Sequence, residues 1–297
     1  MDFFSSMLSD LSKNFYKMTE NINTPDQFMM HCSLYSSVLN IYGDNITKSH
    51  KEINHKLMEI IEKDDNLLFE QIIYDNNINV NINSNIIFRY AVYYKAKKII
   101  EYLVNNGVKI NTYYNFALKF ASGNDISYLQ FIINLGADIF VDTYFVLINA
   151  ICEGKLDNIK LLLDLGLDVN INNCSPLIYS IARNKYDIFE YLINIGADFK
   201  SCENEIWKEY CNGDLNIKYV QLLLEKGINV SKITNQQIIQ IICKKDSIKI
   251  LELLIKYGLN LSRLNNYKQD DNCNKLVHIL LNGGLSQDVI NNILYSV

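Results

Sequence analysis

Six glycines, Gly107, Gly136, Gly166, Gly196, Gly227 and Gly258, follow one another at intervals of 29, 30, 30, 31 and 31 residues, and each stands just past an apolar run. The runs read Ile99-Ile100-Glu101-Tyr102-Leu103-Val104, Tyr128-Leu129-Gln130-Phe131-Ile132-Ile133, Ile159-Lys160-Leu161-Leu162-Leu163, Ile188-Phe189-Glu190-Tyr191-Leu192-Ile193, Val220-Gln221-Leu222-Leu223-Leu224 and Ile250-Leu251-Glu252-Leu253-Leu254-Ile255. A chain leaving a helix needs a left-handed residue, and only Gly or Asn adopts that conformation cheaply. Asn77, thirty residues before Gly107, takes the same place in an earlier copy. Upstream of the second run and of later ones lies a shorter apolar segment, as in Phe116 to Ala121, Phe145 to Ile151, Leu177 to Ala182 and Ile238 to Ile242. Each unit is therefore expected to be helix, tight turn, helix, loop, repeated so that each copy buries its apolar face on its neighbours. Leu103, Ile132, Leu162, Leu192, Leu223 and Leu254 occupy one recurring place in the second helix and are expected to be core.

The phrase Ser175-Pro176-Leu177-Ile178-Tyr179-Ser180-Ile181-Ala182, followed by Ile188 to Ile193 and Gly196-Ala197-Asp198, resembles the ankyrin repeat, with its Thr-Pro-Leu-His helix start and its Gly-Ala-Asp ending. Proline suits the first turn of a helix, where no N–H partner is lost, and Ser175 before it is placed to cap the free amides. The units are about three residues shorter than the family's usual 33. The resemblance implies an all-α ankyrin-repeat α-solenoid of about eight units, stacked as antiparallel pairs over residues 53–297. The units run roughly 53–82, 83–112, 113–141, 142–171, 172–201, 202–232, 233–263 and 264–297. Residues 212–217 add length between the helices of their own copy. Residues 1–52 do not repeat. Apolar residues at helical spacing there predict two amphipathic helices, which either cover the open end of the first unit or form a separate docking module. The Ile- and Asn-rich style also resembles the ankyrin proteins of giant DNA viruses.

Length and composition agree with an array. A chain of 297 residues with 49% apolar and 21% charged residues can fold throughout, and stacked units lengthen one core without enlarging a sphere. A net charge of -5, with arginine only at Arg89, Arg183 and Arg263, argues against nucleic acid as a partner. No run of about 18 apolar residues occurs and no secretory leader is evident at Met1, so no membrane is expected, and an intracellular, cytoplasmic protein is the reading (host cytoplasm if viral). Seven scattered cysteines without C-x-x-C spacing suggest neither a disulfide framework nor a zinc site.

No cofactor or metal is expected, and no catalytic residue stands out. His31 beside Cys32 is the one thiol and imidazole neighbour pair, but adjacent helical residues point about 100° apart. Phosphate-cradle and zincin motifs are absent. The expected function is a protein–protein interaction scaffold, an adaptor for ubiquitin ligation being the alternative and an enzyme hidden in the N-terminal head a remote one. The resemblance implies a partner protein bound on the concave face, built from first helices and loop tips. Carried over copy by copy, the exposed positions on that face are Tyr93, Tyr94, Tyr114, Tyr144, Glu153, Arg183, Lys244 and Lys245. Trp207 is expected in the core.

Overall fold

The computed structural model describes residues 48–81, 85–213, 216–242, 244 and 247–260. The expected head helices, the last unit, His31, Cys32 and Lys245 lie outside these residues. Among the described residues fourteen α-helices follow in order: α1 Lys48–Glu62, α2 Asn66–Asp75, α3 Ile86–Tyr93, α4 Lys97–Asn105, α5 Thr112–Ser122, α6 Ile126–Asn134, α7 Thr143–Cys152, α8 Leu156–Asp164, α9 Ile171–Ala182, α10 Tyr186–Asn194, α11 Glu203–Asn212, α12 Ile217–Glu225, α13 Asn235–Ile242 and α14 Ser247–Lys256. Two single 3-10 turns, Lys200–Cys202 and Val230–Lys232, precede α11 and α13, and no strand occurs among the described residues. Odd-numbered helices are the first members of the pairs and even-numbered ones the second. Among the described residues the fold is all-α, a succession of helix pairs.

The repeat glycines sit where the sequence puts them, with φ between 83° at Gly227 and 104° at Gly166, and Asn77 holds the same left-handed place at 50°. At five of the six repeat glycines the next residue donates its amide to the carbonyl five residues back. Val108 bonds Leu103 O at 3.0 Å, Leu167 bonds Leu162 O at 3.1 Å, Ala197 bonds Leu192 O at 3.0 Å, Ile228 bonds Leu223 O at 3.0 Å and Leu259 bonds Leu254 O at 2.9 Å. This is the Schellman ending, which satisfies carbonyls that a helix end leaves open. The apolar side chains that follow the turn, Val108, Ala137, Leu167, Ala197, Ile228 and Leu259, are all buried, so every turn closes onto its own helix.

First helices end the same way, although their sequence hardly signals it. Asp64, Lys95, Gly154 and Asn184 have φ of 51°, 57°, 72° and 51°, and the following amides of Asp65, Ala96, Lys155 and Lys185 bond back to Ile60, Ala91, Ala150 and Ser180. A non-glycine residue in this region costs about 1–2 kcal/mol. The paired helices and the three-residue turn between them impose it.

The described residues fall into two compact units, one of those up to Phe120 together with 134–137 and one of those in 121–133 and from Asp138 onward. Within the first, α1 packs on α3 and α2 on α4. Asp64, in the turn after α1, accepts hydrogen bonds from Lys98 N (3.2 Å) and Ile99 N (3.1 Å), so it caps the helix of the next pair, whose own N-cap, Ala96, has no side chain for the task. Within the second, first helices pack in succession (α7 on α9, α9 on α11, α11 on α13) and second helices likewise (α10 on α12, α12 on α14). Polar ties again cross between pairs. Asn158, 1% exposed at the start of α8, donates to Ser122 O and Asn124 O, both at 2.8 Å, and the hydroxyl of Tyr219 on α12 donates to Ser180 O at 3.3 Å. Leu103, Ile132, Leu162, Leu192, Leu223 and Leu254 are all 0% exposed, as the register requires, and Trp207 is buried as expected, its indole N–H donating to Asn229 O at 3.3 Å.

Two local expectations are corrected. Ser175 does not cap amides; its hydroxyl donates to Asn172 O at 2.7 Å, because Asn172, Asn173 and Cys174 turn left-handed ahead of it and bring that carbonyl within reach. Pro176 still falls in the first turn of the regular helix. The cysteines are not all independent either: Cys174 and Cys202 form a disulfide, with Cα atoms 6.5 Å apart. They stand 28 residues apart at the starts of successive first helices, so stacking brings together positions that no short motif connects. Four residues separate α11 from α12, where three separate α9 from α10, so the copy with the added stretch is longer there by one residue.

Replacing Leu192 by Ala should lower the free energy of unfolding in urea by about 2–5 kcal/mol, and a loss below about 1 kcal/mol would mean that the residue does not fill the core. Burial also pushes the Cys211 thiol up from 9.0 to about 12, against a smaller opposing pull from Lys244. A folded pKa above the unfolded one contributes stability that is whole below the unfolded value and lost as pH rises toward the folded one. Unfolding free energy should therefore stay level up to about pH 8.5 and fall from about pH 9 upward, as the unfolded chain alone releases this proton. Constant stability between those values and about pH 11 would contradict the assignment.

Candidate partner-binding site

The first helices of the unit formed by residues 1–120 and 134–137 carry a row of aromatic rings. α3, Ile-Ile-Phe-Arg-Tyr-Ala-Val-Tyr, buries Ile86, Ile87, Phe88, Ala91 and Val92, and its other face brings Arg89 and Tyr93, one turn apart, to the same side. α5 supplies Tyr113, Phe116 and Phe120, again at spacings of three and four. The rings interlock: Tyr93 meets Tyr94 edge-on at 5.2 Å between centroids and Phe120 at 5.6 Å, Phe120 stacks on Phe116 at 6.1 Å, and Phe116 meets Tyr113 at 6.5 Å. Tyr93, Tyr94, Tyr113 and Phe120 are half-buried, Phe116 is buried, and the row thus presents rigid apolar edges with hydroxyl tips.

Arg89 ends the row. Its guanidinium carbon lies 4.0 Å above the Tyr113 ring, the residue is 6% exposed, and its Nε has no hydrogen-bond acceptor. Taking such a cation out of water costs several kcal/mol even after relaxation. A desolvated cation–π contact returns about 2 kcal/mol. The charge is therefore incompletely compensated, which is unusual for a buried arginine. Nothing in the sequence motif pattern marks Arg89; the available signal was an arginine set within an otherwise apolar and aromatic helix, one turn from Tyr93.

The expected contact residues fall in different surroundings. Tyr93 and Tyr94 belong to the aromatic row. Tyr114 lies on α5 beside it in sequence. Tyr144, Glu153, Arg183 and Lys244 belong to the other compact unit. There the Tyr144 and Tyr179 hydroxyls meet at 3.2 Å, joining α7 to α9, and burial together with that hydrogen bond raises the Tyr144 pKa. Glu153 lays its Cγ against Gly123. Arg183 stands beside the half-buried Cys152 thiol, which burial raises and Arg183 pulls back. Lys244 has a structural task. Its ammonium donates to the carbonyls of Cys211, at 2.5 Å, and Gly213, closing the C-terminal end of α11 where cations are favoured. Exposed apolar side chains that sequence reasoning did not single out are Phe140, Val141, Leu165 and Ile195, in the loops and second-helix ends of the same unit.

Among the described residues no group of three or more His, Cys, Asp or Glu side chains could hold a metal ion, and no helix is long and apolar enough to cross a membrane. Residues 120–201 match the family described as ankyrin repeats (3 copies). No curated protein matches the chain. Among solved structures, the crystal structure of the human ASB11 ankyrin repeat domain is similar, with a TM-score of 0.53 and 16% identity, over 67% of this chain and 96% of that one. The chain therefore carries ankyrin repeats, matched within residues 120–201, in an ankyrin solenoid fold.

Proposed function

We propose that this chain is an intracellular scaffold that binds a partner protein across the first-helix face of its array, without chemistry of its own. Ankyrin repeats are generally protein–protein interaction modules. The observation that carries the reading is the half-exposed row of Tyr94, Tyr93, Phe120 and Tyr113 around buried Phe116. Aromatic side chains anchor interfaces because they offer large, rigid area at low entropic cost, and tyrosine adds a polar tip. Rings held by their neighbours lose little further freedom on binding, which leaves more of the contact energy as affinity. Tyr144 on α7 and Arg183 just after α9 are further candidate contacts within the other unit.

The double variant Tyr93→Ala/Tyr94→Ala should capture the partner from cell extract at least about fivefold more weakly than the unaltered chain, the loss expected from one or more hot-spot residues. Its helicity by circular dichroism should be unchanged. Capture at full strength by this variant, with capture abolished instead by deletion of residues 1–52, would transfer recognition to the head.

A further inference from the structure

We infer that Arg89 is an anion-recognition residue: the face formed by α3 and α5 takes an aspartate or glutamate side chain of a partner protein, held by the Arg89 guanidinium at the end of the aromatic row. The inference rests on the protein-binding reading above and adds the chemistry that the partner must present. Arg89 is the one arginine of its compact unit, it is almost wholly buried, and its guanidinium lies over the Tyr113 ring with no hydrogen-bond acceptor at Nε. Neither α3 nor α5 contains a carboxylate, and α5 adds Lys119 in its last turn. Within these two helices, then, no carboxylate answers the Arg89 charge. Its complement is an acidic group.

A carboxylate fits the geometry, and a polyphosphate does not. Guanidinium is a planar fork that matches a carboxylate with two parallel hydrogen bonds, and the Tyr113 ring already holds one face of that plane. Only 6% of the residue reaches solvent, and the half-buried rings of the same two helices suit apolar side chains flanking the acid in an extended peptide. A polyphosphate backbone needs several cations along its length, and the two helices supply two.

The test uses the full chain and two capped pentapeptides, Gly-Phe-Glu-Phe-Gly and Gly-Phe-Gln-Phe-Gly, followed by ligand-observed NMR titration. The Glu peptide should bind saturably and at least about tenfold more tightly than its Gln counterpart, because only the carboxylate forms the charge-assisted pair. Arg89→Met should erase that difference while melting at the same temperature or higher, since it removes an uncompensated buried charge and keeps much of the volume. Arg89→Lys, with charge but no fork, should retain part of the preference. Equal binding of the two peptides, absence of saturation by the Glu peptide, displacement of the Glu peptide by an equal concentration of inorganic phosphate, or an Arg89→Met protein that melts several degrees lower would each overturn the inference. Loss of partner capture in Tyr93→Ala/Tyr94→Ala together with full capture by Arg89→Met would leave the scaffold reading standing and remove only the role of Arg89.

Discussion

Everything in this fold depends on the way a second helix ends. A left-handed residue lets the next amide turn back onto the carbonyl of Leu103, Leu162, Leu192, Leu223 or Leu254, and the same five residues put their side chains into the core with no exposed surface. Backbone and side chain of one residue thus serve two purposes. The carbonyl stops the helix, and the side chain fixes which face is inside. Burying such a side chain is worth about 1.5–3 kcal/mol, so a shift of one residue would expose an apolar row and open a helix end at once. The near-constant spacing of the glycines follows from that coupling.

Ties between pairs are polar and specific where the core is apolar and general. Asp64 caps a helix of the next pair, Asn158 donates to two carbonyls of the preceding one, and Tyr219 reaches Ser180 O. Each occupies the inter-helix turn or the start of a second helix, where amides and carbonyls lie open. Buried polar groups of this kind must be satisfied, and satisfied ones fix register more sharply than apolar packing does. On α3 and α5 the rings of Tyr93, Tyr94, Tyr113 and Phe120 and the charge of Arg89 are held in place by each other. A site assembled in advance loses less entropy on binding.

The fold was legible because its signal is periodic. Gly107 through Gly258, the buried leucines four residues before them, and Pro176 in a first helical turn all declare themselves in one dimension. The first-helix endings did not, since Lys95, Asn184 and Asp64 adopt a left-handed conformation that their side chains do not advertise. The disulfide of Cys174 with Cys202 was hidden for a related reason: its spacing is that of the repeat, so its partners become neighbours only once the stack exists. Tyr93 and Tyr94, expected on the binding face from their register, stand in the aromatic row. Lys244 was named on the same ground, and its ammonium instead closes α11. Arg89 was passed over because an exposed and a buried arginine look alike until the ring of Tyr113, brought over it by α5, takes its position.

Native-state hydrogen exchange, resolved by residue, tests the single repeating register most directly. The slowest amides should recur at about 30-residue intervals, in the second halves of α4, α6, α8, α10 and α12, because the Schellman-bonded core residues open only with their whole pair. The amides of Val108, Leu167, Ala197 and Ile228, just past the turns, should be protected nearly as well. Protection without that period, or post-turn amides that exchange as fast as the loops beyond them, would contradict the account.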